Sequence, residues 1–184
     1  PLARHGLPFK RMTTEQQALG LALLRTGLSH TGMARANAIM ALEFVLKELE
    51  NDKPPGRRDP TLYFITIFGE PGAGKSWGWR FEGHHLSLNF TVVDGRHVFF
   101  APSFMGSNPA EVRSGPRQGE RVLAEEEELG HSLANALDAS QRKVAQIARD
   151  APKEIFSTNK KRIDPLSPDG IPAARLQPAQ RELL

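Results

Sequence analysis

The sequence contains no cysteine. Disulfide bonds, cysteine-ligated zinc and thiol catalysis are therefore excluded within this chain. No apolar run approaches the roughly 18 residues that a membrane helix needs, so the chain is predicted to be soluble and without a membrane span. It begins with Pro1 rather than Met. This leaves two locations open, the cytoplasm and, after removal of a leader, an export compartment.

A large excess of charge is also missing. The 24 basic and 21 acidic residues give a formal net charge of +3, which argues against nucleic acid as a partner. The pair Arg57–Arg58 is predicted to lie on a solvated loop. Hydrophobic residues at 39% and charged residues at 24% are typical of globular proteins. The 184 residues are predicted to form a single α+β domain, or the amino-terminal part of a longer domain.

Two helices are predicted near the amino terminus, after a loop over residues 1–12. The first has a capping-box pattern at Thr13 and ends at Gly27. The second runs from a cap at Ser29 to about Glu50, with a broad apolar face formed by Ile39, Met40, Leu42, Phe44, Leu46 and Leu49. Within it, Glu43 and Lys47 are four residues apart and are expected to form a surface ion pair.

The middle of the chain is predicted to form strands. Residues 62–68 form a first strand, residues 79–93 a long second strand, and residues 96–101 return as its partner after the turn signal Asp94-Gly95. Residues 102–119 form a long loop. Helices follow over about 120–137 and 140–150, with a short strand at Ile155–Phe156 and a last helix from Pro178. The predicted fold class is α+β, with an N-terminal helical pair, a central antiparallel hairpin or sheet, and C-terminal helices.

The glycine-rich loop after the first strand matches the phosphate-loop pattern G-x-x-x-x-G-K-[ST]. Its candidate nucleotide-binding residues are Gly69, Gly74, Lys75 and Ser76. In a working site a helix begins at the lysine, because its amino-terminal N–H groups and dipole bind the anion. Here the next seven residues contain two glycines and three aromatics, a poor start for a helix. We therefore expect extended backbone after Ser76 and rank nucleotide binding as an alternative function.

His84 and His85 are the candidate metal ligands. Neighbours on a strand point to opposite faces, so the two imidazoles can share a metal only if a bulge intervenes, which Gly83 could provide. Three nearby polar residues are further candidates for the site: Arg80, Glu82 and Asn89. Neutral imidazole suits zinc, copper or iron, so the metal is not specified by the sequence.

Three segments carry a resemblance to a known family. They are Trp77-Gly-Trp-Arg-Phe-Glu-Gly-His-His-Leu-Ser-Leu-Asn-Phe-Thr91, Ala101-Pro-Ser-Phe-Met-Gly-Ser-Asn-Pro109 and Leu137-Asp-Ala-Ser-Gln-Arg142. With them the chain resembles domain-of-unknown-function family 3500, from Gly6-Leu-Pro-Phe-Lys10 to Gln180-Arg-Glu-Leu183.

The resemblance implies an amino-terminal portion whose carboxy-terminal half carries further histidines and completes the fold. It also implies that Glu82-Gly83-His84-His85 is a functional signature. No activity comes with the family. Our first functional hypothesis is a metal-dependent enzyme, a hydrolase or an oxidoreductase. The alternatives are a non-catalytic binding module, in which the histidines and tryptophans serve packing, and a nucleotide-binding protein.

Overall fold

The computed structural model describes residues 4–158, 160 and 162–184. They form two compact units, one ending at Leu123 and the other beginning at Ala124. The first contains two α-helices and a sheet, and the second contains three α-helices. The predicted α+β class is confirmed, with helices at both ends of the chain and an antiparallel sheet between them. The assignment of residues 1–184 to one domain, or to part of a longer one, stays a prediction.

The two helices of the amino-terminal unit begin where their capping residues predict. Helix α1 spans Thr14–Gly27, and the Thr13 side chain accepts a hydrogen bond from the backbone N–H of Gln16 in a complete capping box. Helix α2 spans His30–Leu49, and Ser29 Oγ accepts from the Gly32 N–H at 3.0 Å. Because these side chains satisfy otherwise unpaired N–H groups, the predicted starts of both helices are confirmed.

The sheet has five antiparallel strands whose order in space is their order in sequence. They are β1 (Leu7–Pro8), β2 (Phe64–Phe68), β3 (Trp77–Gly83), β4 (Leu86–Val93) and β5 (His97–Met105). Strand β1 lies in the segment that the sequence predicted to be a loop. Strand β5 ends four residues later than predicted, at the expense of the loop that follows it.

The single strand predicted over residues 79–93 is wrong. Strand β3 ends at Gly83, β4 begins at Leu86, and these two residues pair across a tight turn. His85 takes the left-handed conformation, with φ of 58°, which lets the chain reverse. The turn changes which residues face the core, from odd numbers (Trp79 and Phe81) to even numbers (such as Leu88).

The core of the unit lies between the helices and one face of the sheet. It joins helix residues to aromatic and aliphatic residues of β3 and β4: Leu24, Met33, Ala36, Ile39, Trp79, Phe81, Leu86, Leu88 and Phe90. The opposite face of the sheet, which we call the outer face, carries polar side chains at Arg80, Glu82, Ser87 and Asn89, which pair across β3 and β4. The sheet therefore separates a packed apolar side from a polar side.

The segment after β5 packs on helix α2. Val112 is buried with Leu42 and Val45. Arg117 Nη1 donates to the backbone oxygen of Ala41 at 2.8 Å, and the same guanidinium makes two hydrogen bonds to Glu120. These contacts give the long loop a structural role on the helix.

The carboxy-terminal unit contains helices α3 (Ala124–Ala136), α4 (Ala139–Ala145) and α5 (Pro178–Leu183). Asp138 caps α4, and both α3 and α4 are shorter than the sequence indicated. The side-chain amides of Gln141 and Gln180 hydrogen-bond each other at 2.8 and 2.9 Å. The strand predicted at Ile155–Phe156 is wrong, because those residues are irregular.

Among the residues that the structure describes, no helix is long and apolar enough to cross a membrane.

Replacing Gly83 by alanine is expected to destabilise the amino-terminal unit. A Cβ at this position would lie 2.3 Å from a ring carbon of the buried Tyr63, and such overpacking costs about 1–3 kcal/mol. Urea unfolding measures the loss. The control is Gly32→Ala in α2, whose Cβ would meet its nearest neighbour at 3.4 Å, an ordinary contact. Equal stability of the two variants would contradict the close approach.

Candidate functional site

The two histidines form the turn between β3 and β4. Their rings lie 4.2 Å apart between centroids and are inclined at 74°, an edge-to-face arrangement. The expectation that adjacent histidines point to opposite faces of a strand is wrong, because the backbone reverses at these residues. The turn thus brings together the imidazoles that the sequence placed apart.

Glu43 of helix α2 holds His84 from the side of the core. Its Oε1 lies 2.5 Å from His84 Nδ1, and Glu43 itself is only 2% exposed. A carboxylate only accepts hydrogen bonds, so Nδ1 carries the proton and donates. The side chain of His84 remains 30% exposed, so solvent reaches an imidazole whose orientation is set by a buried acid.

Arg58 contacts the same imidazole and is itself held by Glu50. Its Nε and Nη2 donate to the two carboxylate oxygens of Glu50, at 2.8 and 2.5 Å. These hydrogen bonds lower the pKa of Glu50. Arg58 Nη1 lies 3.1 Å from Nδ1 and 3.2 Å from Nε2 of His84. Because a guanidinium only donates and Nδ1 already carries a proton, Nε2 is the acceptor.

Tyr63 fixes the backbone of the turn. Its hydroxyl donates to the backbone oxygen of His84 at 2.6 Å, and its side chain is fully buried. Burial, with a smaller effect from the Glu43 charge, raises the pKa of Tyr63, so the phenol keeps the proton that it donates. The position of His84 is therefore set through both its ring and its main chain.

His85 is partly buried and lies near an aromatic ring. Burial, and secondarily the neighbouring His84, lowers the pKa of His85 below its ordinary value and favours the neutral imidazole. Its ring lies 6.4 Å from that of Phe104, and its backbone oxygen accepts from the Gly106 N–H at 2.8 Å. A neutral imidazole can act as a base or as a metal ligand.

Arg58 and His84 are the hydrogen-bond partners of the two acids at the turn. Arg58 pairs with Glu50, and the imidazole of His84 pairs with the buried Glu43. A carboxylate behind an imidazole makes the other ring nitrogen a better ligand for a metal ion.

The other candidates from the sequence lie together on the outer face. Arg80 pairs across the sheet with Asn89, and Glu82 pairs with Ser87. Arg80 Nη2 is 2.7 Å from Glu82 Oε1, and Asn89 Nδ2 donates to the backbone oxygen of Pro102 at 2.8 Å. Within the described part of the chain, no group of three or more histidine and acidic residues is arranged to hold a metal ion. The role of His84 and His85 as ligands stays a prediction.

The glycine-rich loop connects two strands, as predicted. Strand β3 begins at Trp77 directly after Ser76, in place of the helix that a phosphate loop requires. Lys75 Nζ lies 2.6 Å from Glu70 Oε2, and the N–H of Asp94 donates to Ser76 Oγ at 3.3 Å. The side chains of Lys75 and Ser76, two of the four nucleotide-binding candidates, therefore already have partners within the fold.

Glu43 and Arg58 are two residues of the site that were not predicted from the sequence. The predicted surface pair of Glu43 with Lys47 is wrong, because Glu43 is buried and Lys47 pairs with Asp52 at 3.7 Å. The predicted solvated position of Arg58 is also wrong, since it is 6% exposed. Glu43 did carry a signal: it follows Leu42 and lies four residues after Ile39, inside the apolar stripe of α2.

Comparison with known proteins places the chain in a family. The family described as "Protein of unknown function (DUF3500)" matches residues 1–184, the whole chain. The chain belongs to the DUF3500 family. No curated protein and no solved structure matches it. The residues around the turn of this DUF3500 chain are therefore interpreted from their own geometry.

Replacing Glu43 by alanine is expected to cost about 1–3 kcal/mol of unfolding free energy, because the buried partner of His84 is lost. Glu43→Gln keeps an acceptor for Nδ1 and is expected to cost less. Chemical denaturation measures both. Glu48→Ala, on the exposed side of the same helix, is the control and should change stability little. A Glu43→Ala variant as stable as this control would refute the structural role.

Acidification is expected to destabilise the chain through His85. Its folded-state pKa lies below the unfolded value of about 6.5, so the unfolded chain takes up the proton first. The contribution of His85 is therefore fully favourable above about pH 6.5 and is lost as the pH falls below it. We expect His85→Asn to reduce this loss of stability at low pH, as measured by chemical denaturation at a series of pH values. His97→Asn makes the same change at an exposed hairpin position. Identical pH profiles for all three proteins would contradict this prediction.

Proposed function

We propose that the His84–His85 turn is the metal-binding centre of an enzyme, either a hydrolase or an oxidoreductase. The observation that supports this most is the hydrogen bond from His84 Nδ1 to the buried Glu43 carboxylate. Histidines that bind metals commonly donate their other ring N–H to a carboxylate, which fixes the tautomer and makes the ligand more basic. In this arrangement Nε2 of His84 is the ligand atom, and the neutral His85 is the second ligand.

The charge of the site agrees with a cation. The buried Glu43 behind the imidazole would interact favourably with a divalent metal ion bound to His84. Imidazole ligands suit zinc, copper or iron. Two protein ligands leave coordination positions for water, for substrate or for side chains from outside this chain. A metal there would polarise a bound water or carbonyl, which is the chemistry that hydrolases use.

Arg58 sets a condition on this proposal. Its Nη1 lies 3.2 Å from His84 Nε2. Because the guanidinium is planar and rigid, Arg58 must move as a whole away from Nε2 before a metal can bind there. The same contact favours a second candidate, a metal-free proton transfer by the Glu43–His84 pair. The two candidates differ in one measurable respect, which is whether activity survives chelation.

Two further alternatives have less support from the geometry. Nucleotide binding through Gly69, Gly74, Lys75 and Ser76 lacks the helix that would present N–H groups to a phosphate. A non-catalytic binding module agrees with the exposed polar side of the sheet, but leaves the oriented imidazole of His84 without a purpose.

Metal binding is tested by titrating zinc, copper and iron salts separately into metal-free protein and following the heat of binding. His84→Ala and His85→Asn are each expected to weaken the binding, and the double variant to abolish it. Glu43→Gln should weaken it by about 10- to 100-fold, the usual effect of losing such a supporting carboxylate.

The matched control is His97→Ala, which removes an exposed histidine from the start of β5 and should leave the affinity unchanged. Asparagine is chosen at position 85 because it tolerates the positive φ found there. No binding of any of the three metals, or binding that persists in the double variant, would sink the proposal.

A further inference from the structure

The outer face of the sheet carries a polar patch that the fold does not require. At its centre Arg80 and Glu82 of β3 stand beside Asn89 and Ser87 of β4. Arg80 is 25% exposed and Glu82 is 17% exposed, so both are partly covered but reachable. One cation and one anion leave the patch without net charge. A neutral ligand therefore suits this surface.

The central ion pair is poorly arranged. Although Arg80 Nη2 and Glu82 Oε1 are 2.7 Å apart, Oε1 and the buried Nε of Arg80 have no hydrogen-bond partner among the described residues. A buried polar atom without a hydrogen-bond partner is destabilising, so its presence in a fold needs an explanation. One of these atoms is a donor and the other an acceptor. A hydroxyl group can serve both, whereas an anion only accepts and a metal ion offers no hydrogen bond.

Aromatic rings flank the polar centre. Arg80 lies over the exposed ring of Phe68, at 5.5 Å from its centroid. Next to it a depression of about 520 Å³ is lined by Phe68, Gly78, Asn89, Thr91 and Pro102. On the other side of the patch, the exposed Phe104 pairs with Ser87 across the sheet. Planar polar side chains between aromatic rings suit a ligand that has both hydroxyl groups and apolar faces.

The patch is continuous with the histidine turn. His85 lies two residues before Ser87 on the chain, and the ring of Phe104 stacks near that of His85, at 6.4 Å between centroids. A molecule bound along the outer face would therefore extend toward the proposed metal centre.

We propose that the outer face, around Arg80, Glu82 and Asn89, binds a neutral saccharide and presents it to His85. This inference rests on the proposed function for the link to catalysis, but not for binding itself. Hydroxyls of the sugar bond to the amide of Asn89 and to the ion pair, whose atoms gain partners when the pair opens. The rings of Phe68 and Phe104 pack against the apolar faces of the sugar.

The test is a glycan array carrying neutral oligosaccharides of glucose, xylose, mannose, galactose and N-acetylglucosamine, together with sulfated and uronic-acid glycans. It is run with a chelator present, so that binding does not depend on metal. The strongest neutral glycan is then titrated into the wild type and the variants. Arg80→Met, Asn89→Ala and Phe68→Ala are each expected to weaken the affinity by about tenfold or more.

The control is Ile67→Ala, because Ile67 is an exposed apolar residue that follows Thr66 on β2 and points to the opposite side of the sheet. The metal titration of the wild type is a separate measurement, which separates the failure of one proposal from the failure of the other. No glycan binding, a preference for charged glycans, or affinity unchanged in all three patch variants would overturn the inference.

Discussion

A carboxylate buried on a helix needs a hydrogen-bonding partner, and the tip of a hairpin supplies it. Glu43 and His84 are 41 residues apart in sequence, and their 2.5 Å contact joins helix α2 to the β3–β4 turn. Leaving the acid unpaired would carry the cost of desolvation without compensation. Tyr63 holds the backbone of the same turn and Arg58 reaches the same ring. The position of the turn over the helix is thus determined by several polar contacts around one imidazole.

Local signals were sufficient for the helices and the fold class. Thr13 and Ser29 are capping residues whose effect is confined to a few neighbours, and they place the starts of α1 and α2 correctly. The hairpin at residues 84–85 was missed because both flanking segments favour strands. The sequence did contain a sign of this turn, because the apolar positions change from odd to even numbers between Phe81 and Leu86.

The candidate site was predicted only in part, and for a physical reason. His84, His85, Arg80, Glu82 and Asn89 belong to one hairpin, so a local reading of the sequence could select them. The residues that hold His84 come from distant segments: Arg58 is 26 residues away, and Glu43 is farther still. No periodicity joins such positions. The place of Glu43 in the apolar stripe of α2 indicates burial, but only tertiary packing decides which residue it pairs with.

The location of the tryptophans has a practical consequence. Both tryptophans of the chain, Trp77 and Trp79, lie on β3, and the indole of Trp79 stacks on Phe90 at 4.0 Å between centroids. Intrinsic fluorescence therefore reports on one hairpin of the amino-terminal unit. Far-ultraviolet circular dichroism, in contrast, reports the secondary structure of both units together. Melting curves recorded by the two methods would diverge wherever the units lose their structure independently, so the chain carries its own site-specific optical probe.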